Sequence, residues 1–155
     1  MKKNTILSLL ALLPLFALAP RADSALTCTF SSVTGVNFGS YDVFSASPRT
    51  ATGTISYSCK KVGGVQFMVM SLSTGSSGTF TNRTLRVGGN VLNYNLYPDA
   101  ANSQVWGDGT GTTYQYSIDP VDKQIDILTV YGTIPPGQDV GVGSYTDTIT
   151  VTMNF

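Results

Sequence analysis

Residues 145–155 read Tyr145-Thr146-Asp147-Thr148-Ile149-Thr150-Val151-Thr152-Met153-Asn154-Phe155. Apolar and hydroxyl side chains alternate along this stretch. A strand points successive side chains to opposite faces, so Ile149, Val151, Met153 and Phe155 share one face and Thr146, Thr148, Thr150 and Thr152 the other. The period is two, and the β-branched residues suit a pleated surface. The same pattern recurs upstream. Thr54 to Cys59 places Ile55, Tyr57 and Cys59 together, and Val91 to Tyr97 does so with Leu92, Tyr94 and Leu96. Lys123 to Tyr131 sets Ile125, Ile127 and Tyr131 against Leu128 and Val130. Val65 to Leu72 is apolar at nearly every position, as expected of a central strand covered on both faces. Thr84 to Val87 and Tyr114 to Ile118 are shorter, the latter an expected edge strand, and residues 99–113 with Gly107, Gly109 and Gly111 form a loop. Short strands, frequent turn signals and no helical period predict one all-β domain, an antiparallel β-sandwich.

Composition narrows the chemistry. The 155 residues suit a single domain, and nine Lys+Arg balance nine Asp+Glu, all of the acids being Asp. Charged residues are 12% against a usual quarter, and histidine is absent. Triads and metal sites built on His are excluded, and two cysteines alone cannot hold a structural zinc. A net charge of zero leaves no footprint for nucleic acid. Asp99, Asp108, Asp119, Asp122 and Asp126 could suggest a carboxylate pair or calcium. Each sits beside turn formers, where an Asp side chain caps backbone amides, and the loop at Asp108 lacks the further ligands and closing Glu of a calcium site. No catalytic, cofactor or metal residue is assigned. Asn82-Arg83-Thr84 matches the glycosylation sequon, a pattern short enough to arise by chance. Trp106 and Tyr94 are expected in the core, with stacking on a sugar as the alternative.

The N-terminus reads as an address. Lys2 and Lys3 precede an apolar run from Ile6 to Leu18, which is too short to span a bilayer and is followed by small residues, as in a secretory signal peptide. Cleavage after Ser24 makes Ala25 the first mature residue. Cleavage after Ala19 would leave Pro20 next to the cut, which is disfavoured. The expected division is therefore 1–24 signal peptide and 25–155 domain, with no span after removal. Losing Lys2, Lys3, Arg21 and Asp23 takes nine basic and nine acidic residues to six and eight, a net charge of −2. Export places Cys28 and Cys59 in an oxidising compartment, where they are expected to pair. The closed loop of 32 residues stabilises by roughly 3.7 kcal/mol on chain-entropy grounds.

A strand that alternates to a terminal aromatic occurs in outer-membrane barrels and in pilus subunits. The other strands are too short and too rich in Ser and Thr for the barrel. Several further motifs occur in order: Val36-Asn37-Phe38-Gly39-Ser40-Tyr41-Asp42, Gly53-Thr54-Ile55, Arg83-Thr84-Leu85, Leu92-Asn93-Tyr94-Asn95-Leu96-Tyr97-Pro98-Asp99, Trp106-Gly107-Asp108-Gly109, and Val130 through Gln138. With Gly143 through Val151 they make the chain resemble the spore coat protein U domain family, found in subunits of archaic chaperone–usher pili. The resemblance spans essentially the whole mature chain. It implies an immunoglobulin-like sandwich lacking its last strand and a Cys28–Cys59 disulfide. The implied partners are a periplasmic chaperone, an outer-membrane usher and neighbouring subunits, with passage through the periplasm to the cell surface and a role in attachment and biofilm formation. Tyr145, Ile149, Val151, Met153 and Phe155 would border the groove completed by a donated strand. Ahead of Cys28, Ala25, Leu26 and Thr27 reach only about 10 Å, or eight residues precede it if cleavage follows Ala19. The expectation is thus a chain that accepts a strand without donating one, at a tip or terminus. The alternative is a self-complete secreted sandwich that binds a surface or glycan through its loops.

Overall fold

The computed structural model describes residues 25–155; the expected signal peptide lies outside the described residues. Two antiparallel sheets pack face to face as an immunoglobulin-like β-sandwich. The larger contains β1 (Ala25–Thr34), β2 (Arg49–Val62), β4 (Arg83–Val87), β5 (Asn90–Tyr97) and β7 (Ile125–Ile134), in the order β1-β2-β7-β5-β4. The smaller has β3 (Met68–Leu72) between β6 (Tyr116–Ile118) and β8 (Val151–Asn154). The alternation in sequence decides which side chains meet. Ile55, Tyr57 and Cys59 of β2, Leu92, Tyr94 and Leu96 of β5, and Val130 of β7 face Met68, Met70 and Leu72 of β3. Trp106 is buried under the loop that carries it, its indole Nε1 donating to Met70 O at 3.2 Å.

Cys28 and Cys59 lie directly opposite in the β1–β2 ladder and are joined by a disulfide. Of the five candidate Asp residues, Asp99, Asp108, Asp119 and Asp122 accept backbone amides as expected, whereas Asp126 lies within β7 and accepts the Gln124 side-chain amide. Asp99 accepts the Ser103 hydroxyl and the Ala101 amide, Asp108 accepts the hydroxyl and amide of Thr110, and Asp122 accepts the Lys61 amide. Those bonds hold all three carboxyls below their usual range, the Ser103 and Thr110 hydroxyls and the Lys61 amide being the leading causes.

Three expectations need correction. Tyr145 to Phe155 is not one long strand, because the segment changes sheets. Thr146 exchanges backbone hydrogen bonds with Arg86 of β4, and only Val151–Asn154 then pairs with β3. Phe155 lies past the pairing and is exposed. Val65 to Leu72 starts only at Met68, because the Gln66 amide donates to Asp119 and Val65 and Phe67 stay exposed. β1 was not anticipated as a strand at all: Ala25, Leu26 and Thr27 pair with Val62, Lys61 and Lys60, and an irregularity between Phe30 and Ser32 interrupts the alternation.

Candidate functional site

Of the four edge strands among the described residues, β1, β4, β6 and β8, the first and last border a groove. β1 ends one side of the larger sheet and β8 ends the smaller, so β8 has β3 on one side and nothing paired on the other among the described residues. Between Val33–Val36 and the inward side chains Ile149 and Val151, a cleft of about 190 Å³ opens onto the core. Its floor includes Ile55, Leu72, Leu96 and Val130. It runs on, past Val36, Phe38 and Asp147, into a wider hollow of about 790 Å³ between Val36–Phe44 and Val140–Asp147.

Val33 of β1 shows that the groove is uncovered, and Phe30, outside the groove on the same strand, is open as well. Phe30 pairs across the ladder with Tyr57, and Val33 with Ile55, so both face inward with the core residues. Phe30 is nevertheless 40% exposed and Val33 54%. Covering such a side chain fully contributes about 1.5–3 kcal/mol, a gain that these two forgo in the chain alone.

The far part of the groove is partly filled by the chain itself. Val36 and Phe38 lie over bare backbone at Gly132. A Cβ on Gly132 would stand 2.7 Å from both Phe38 Cζ and Val36 Cγ1, and one on Gly53 would stand 2.5 Å from Thr34 O. The Phe38 ring meets Tyr94 edge-on at 5.9 Å, and Arg49 Nε donates to Phe38 O at 2.6 Å. Gly132→Ala should therefore displace this strap and cost about 1–3 kcal/mol by overpacking. Urea unfolding checks the cost, and stability within error of the wild type would mean that the strap yields freely.

One polar group interrupts the apolar lining. Asp147 points inward with Ile149 and Val151. Its Oδ2 accepts the Tyr94 hydroxyl at 2.8 Å, and its Oδ1 accepts the amides of Ser76 at 2.9 Å and Thr148 at 2.8 Å. Burial, then the bond to Asp147, pushes the Tyr94 phenol well above its ordinary value.

The residues expected along the terminal strand divide. Tyr145, Ile149, Val151 and Met153 are half-buried against the core. Ile149 and Val151 line the cleft and Tyr145 the hollow, its hydroxyl donating to Gly141 O. Met153 sits opposite Met70 in the β3–β8 ladder and neither it nor Phe155 lines the groove. The disulfide lies apart from the groove lining too. Sequence reasoning missed Val33, Phe38 and Asp147 as lining residues. The signals were present: Gly35 and Gly39 bracket Val36-Asn37-Phe38, and Asp147 occupies an inward place in the alternation.

Comparison with known proteins places the chain in a wider group. The family model for the Spore Coat Protein U domain matches residues 15–152. Protein U of Myxococcus xanthus is 30% identical over 143 residues, covering 83% of this chain and 77% of that protein. Among solved structures, a similar chain occurs in the CsuC–CsuE chaperone–tip adhesion subunit pre-assembly complex from the archaic chaperone–usher Csu pili of Acinetobacter baumannii. The likeness has 20% identity and a TM-score of 0.49, over 84% of this chain and 40% of that one.

Proposed function

Because the chain belongs to the Spore Coat Protein U domain family, we propose that it is an exported, non-enzymatic subunit of a chaperone–usher surface fibre, completed by a strand that another chain lends. The observation that carries this is the uncovered groove. Val33 faces the core yet stands exposed, lining the same cleft as Val151 of β8, whose outer edge is unpaired among the described residues. An unpaired edge over apolar surface invites aggregation unless it is covered, and an extended segment satisfies both edge and surface at once. A periplasmic chaperone supplies that segment in transit, an outer-membrane usher receives the complex, and a neighbouring subunit replaces the chaperone. The chain acts as an acceptor, since Ala25–Thr34 is already paired with β2. The assembled fibre serves attachment and biofilm formation.

The Val36–Phe38 strap supports a second reading, in which the sandwich closes on its own chain and binds a surface or glycan as a free secreted domain. Periplasmic expression with and without a chaperone of the archaic chaperone–usher type separates the two. The fibre subunit is recovered soluble only with the chaperone, whereas a cooperatively unfolding monomer obtained alone would establish the free domain. Val151→Asp, which puts a charge on the groove wall, should reduce chaperone-dependent yield by roughly tenfold or more. Thr152→Asp, one residue away on the exposed face, should leave it unchanged. Equal yields for both would remove β8 from the interaction.

A further inference from the structure

The cleft is lined by apolar and neutral side chains with one exception. Asp147 is the single charged residue among those lining it. In the adjoining hollow the charged lining residues are Asp42 and Asp147, again carboxylates, and no cation lines either part. Three protein hydrogen bonds reach the Asp147 carboxylate, two on Oδ1 and one on Oδ2. Its two oxygens offer about four acceptor directions, so one on Oδ2 remains. Neither nearby cation is paired with it. The Arg83 guanidinium is committed to Ser73 O, Trp106 O and Asn95 Oδ1, while Arg86 Nε donates to the Thr84 hydroxyl. On the far side the backbone of Gly75 stands so close that a Cβ there would lie 2.1 Å from Oδ2. The carboxylate is reached from the groove and from a second open pocket lined by Gly75, Ser76, Thr146, Thr148 and Arg86, and only on the groove side is there no cation.

We propose that Asp147 selects the strand this groove accepts: the partner strand carries a lysine or arginine at the inward position over Asp147 and apolar residues at its other inward positions. This rests on the groove being a strand acceptor. Inward side chains of a strand recur about every 6.7 Å, and Asp147, Ile149 and Val151 present their side chains at alternate positions of the segment beside it. Each inward residue of the partner therefore meets one of them. Covering Asp147 with an apolar residue takes its remaining acceptor direction out of water with no ion pair in exchange, and an acidic residue adds repulsion. A cation supplies a charge-assisted hydrogen bond to the open Oδ2 direction. It also fixes register, because a slip by two residues would set the cation over Ile149.

The test appends to Phe155, through a Gly/Ser linker, a strand of about ten residues alternating Val and Thr. Lys, Leu or Asp is placed at each inward position in turn, and urea unfolding is followed. At one inward position Lys should raise the unfolding free energy over Leu by about a tenfold change in equilibrium constant, and over Asp by more. At the others Leu should be better. The preference for Lys should vanish in Asp147→Asn, which keeps an acceptor for the Tyr94 hydroxyl. If that variant does not fold, salt decides on the wild-type background: the advantage should shrink towards 1 M salt, where the screening length is about 3 Å. Fused strands that stabilise with no position favouring Lys would overturn the selection by Asp147 and leave the groove as a strand acceptor. Failure of every fused strand to stabilise beyond the linker alone would overturn both.

Discussion

Replacing Arg83 by alanine should lower stability by about 4 kcal/mol or more, enough to unfold much of a domain whose total is typically 5–15 kcal/mol. Arg83 is fully buried, and its guanidinium spans three elements. Nε and Nη2 donate to Ser73 O at 2.9 and 2.7 Å, Nη2 also to Trp106 O at 2.7 Å, and Nη1 to Asn95 Oδ1 at 2.9 Å. Its Cζ lies 5.4 Å from the centre of the Phe80 ring. Burial pulls the guanidinium pKa down, but an arginine stays protonated, so the charge is held by dipoles in place of a counter-ion. Truncation leaves buried carbonyls without donors and a hole where the side chain lay. Lysine should restore only a part, since one ammonium cannot match the fork that reaches all three acceptors. The urea midpoint decides. Wild-type stability in Arg83→Ala would mean that water takes over these contacts at no cost.

Removing the disulfide should have the next largest effect. The double change Cys28→Ser, Cys59→Ser should cost about 3–4 kcal/mol, as expected for releasing a loop of this length. The loss should be localised. β1 is an edge strand whose other sheet contacts all run through β2, and most of its residues are exposed. Hydrogen exchange on the variant should show residues 26–34 losing protection first, ahead of β5 and β7. Uniform loss would place the disulfide's action in the unfolded chain alone.

The sheet pattern was legible wherever alternation was regular. Ile55, Tyr57, Leu92, Tyr94 and Leu96 are buried as their spacing predicts, because a period of two leaves no choice of face once one face is covered. Pairing was less legible than facing. In residues 145–155 the inward set is right up to Met153, yet the change of sheet after Thr146 depends on where β3 and β4 lie, which local alternation does not contain. β1 escaped notice because Ser31-Ser32 breaks the alternation at the bulge. The groove was half legible. The terminal segment announced one wall, but the other, Val33 to Phe38, is set by the bare backbone of Gly53 and Gly132 on two other strands. Arg83 was not recognised as buried, since a lone arginine in a strand reads as surface until its three acceptors are assembled around it.

The terminal segment is held by both sheets, and this bears on the order in which the molecule comes together. Every strand of the larger sheet is complete by Ile134, whereas β3, with only β6 beside it until then, waits for its second neighbour β8, which ends at Asn154. The interval is 154 − 134 = 20 residues, or about 1–4 s for a chain emerging at roughly 5–20 residues per second. Collapse of apolar surface takes only microseconds. A nascent chain thus presents a finished larger sheet faced only by the β3–β6 pair, open on the side where β8 belongs, for a time far longer than any collision needs. What first reaches that face, its own late segment or another molecule, determines whether the chain matures or aggregates.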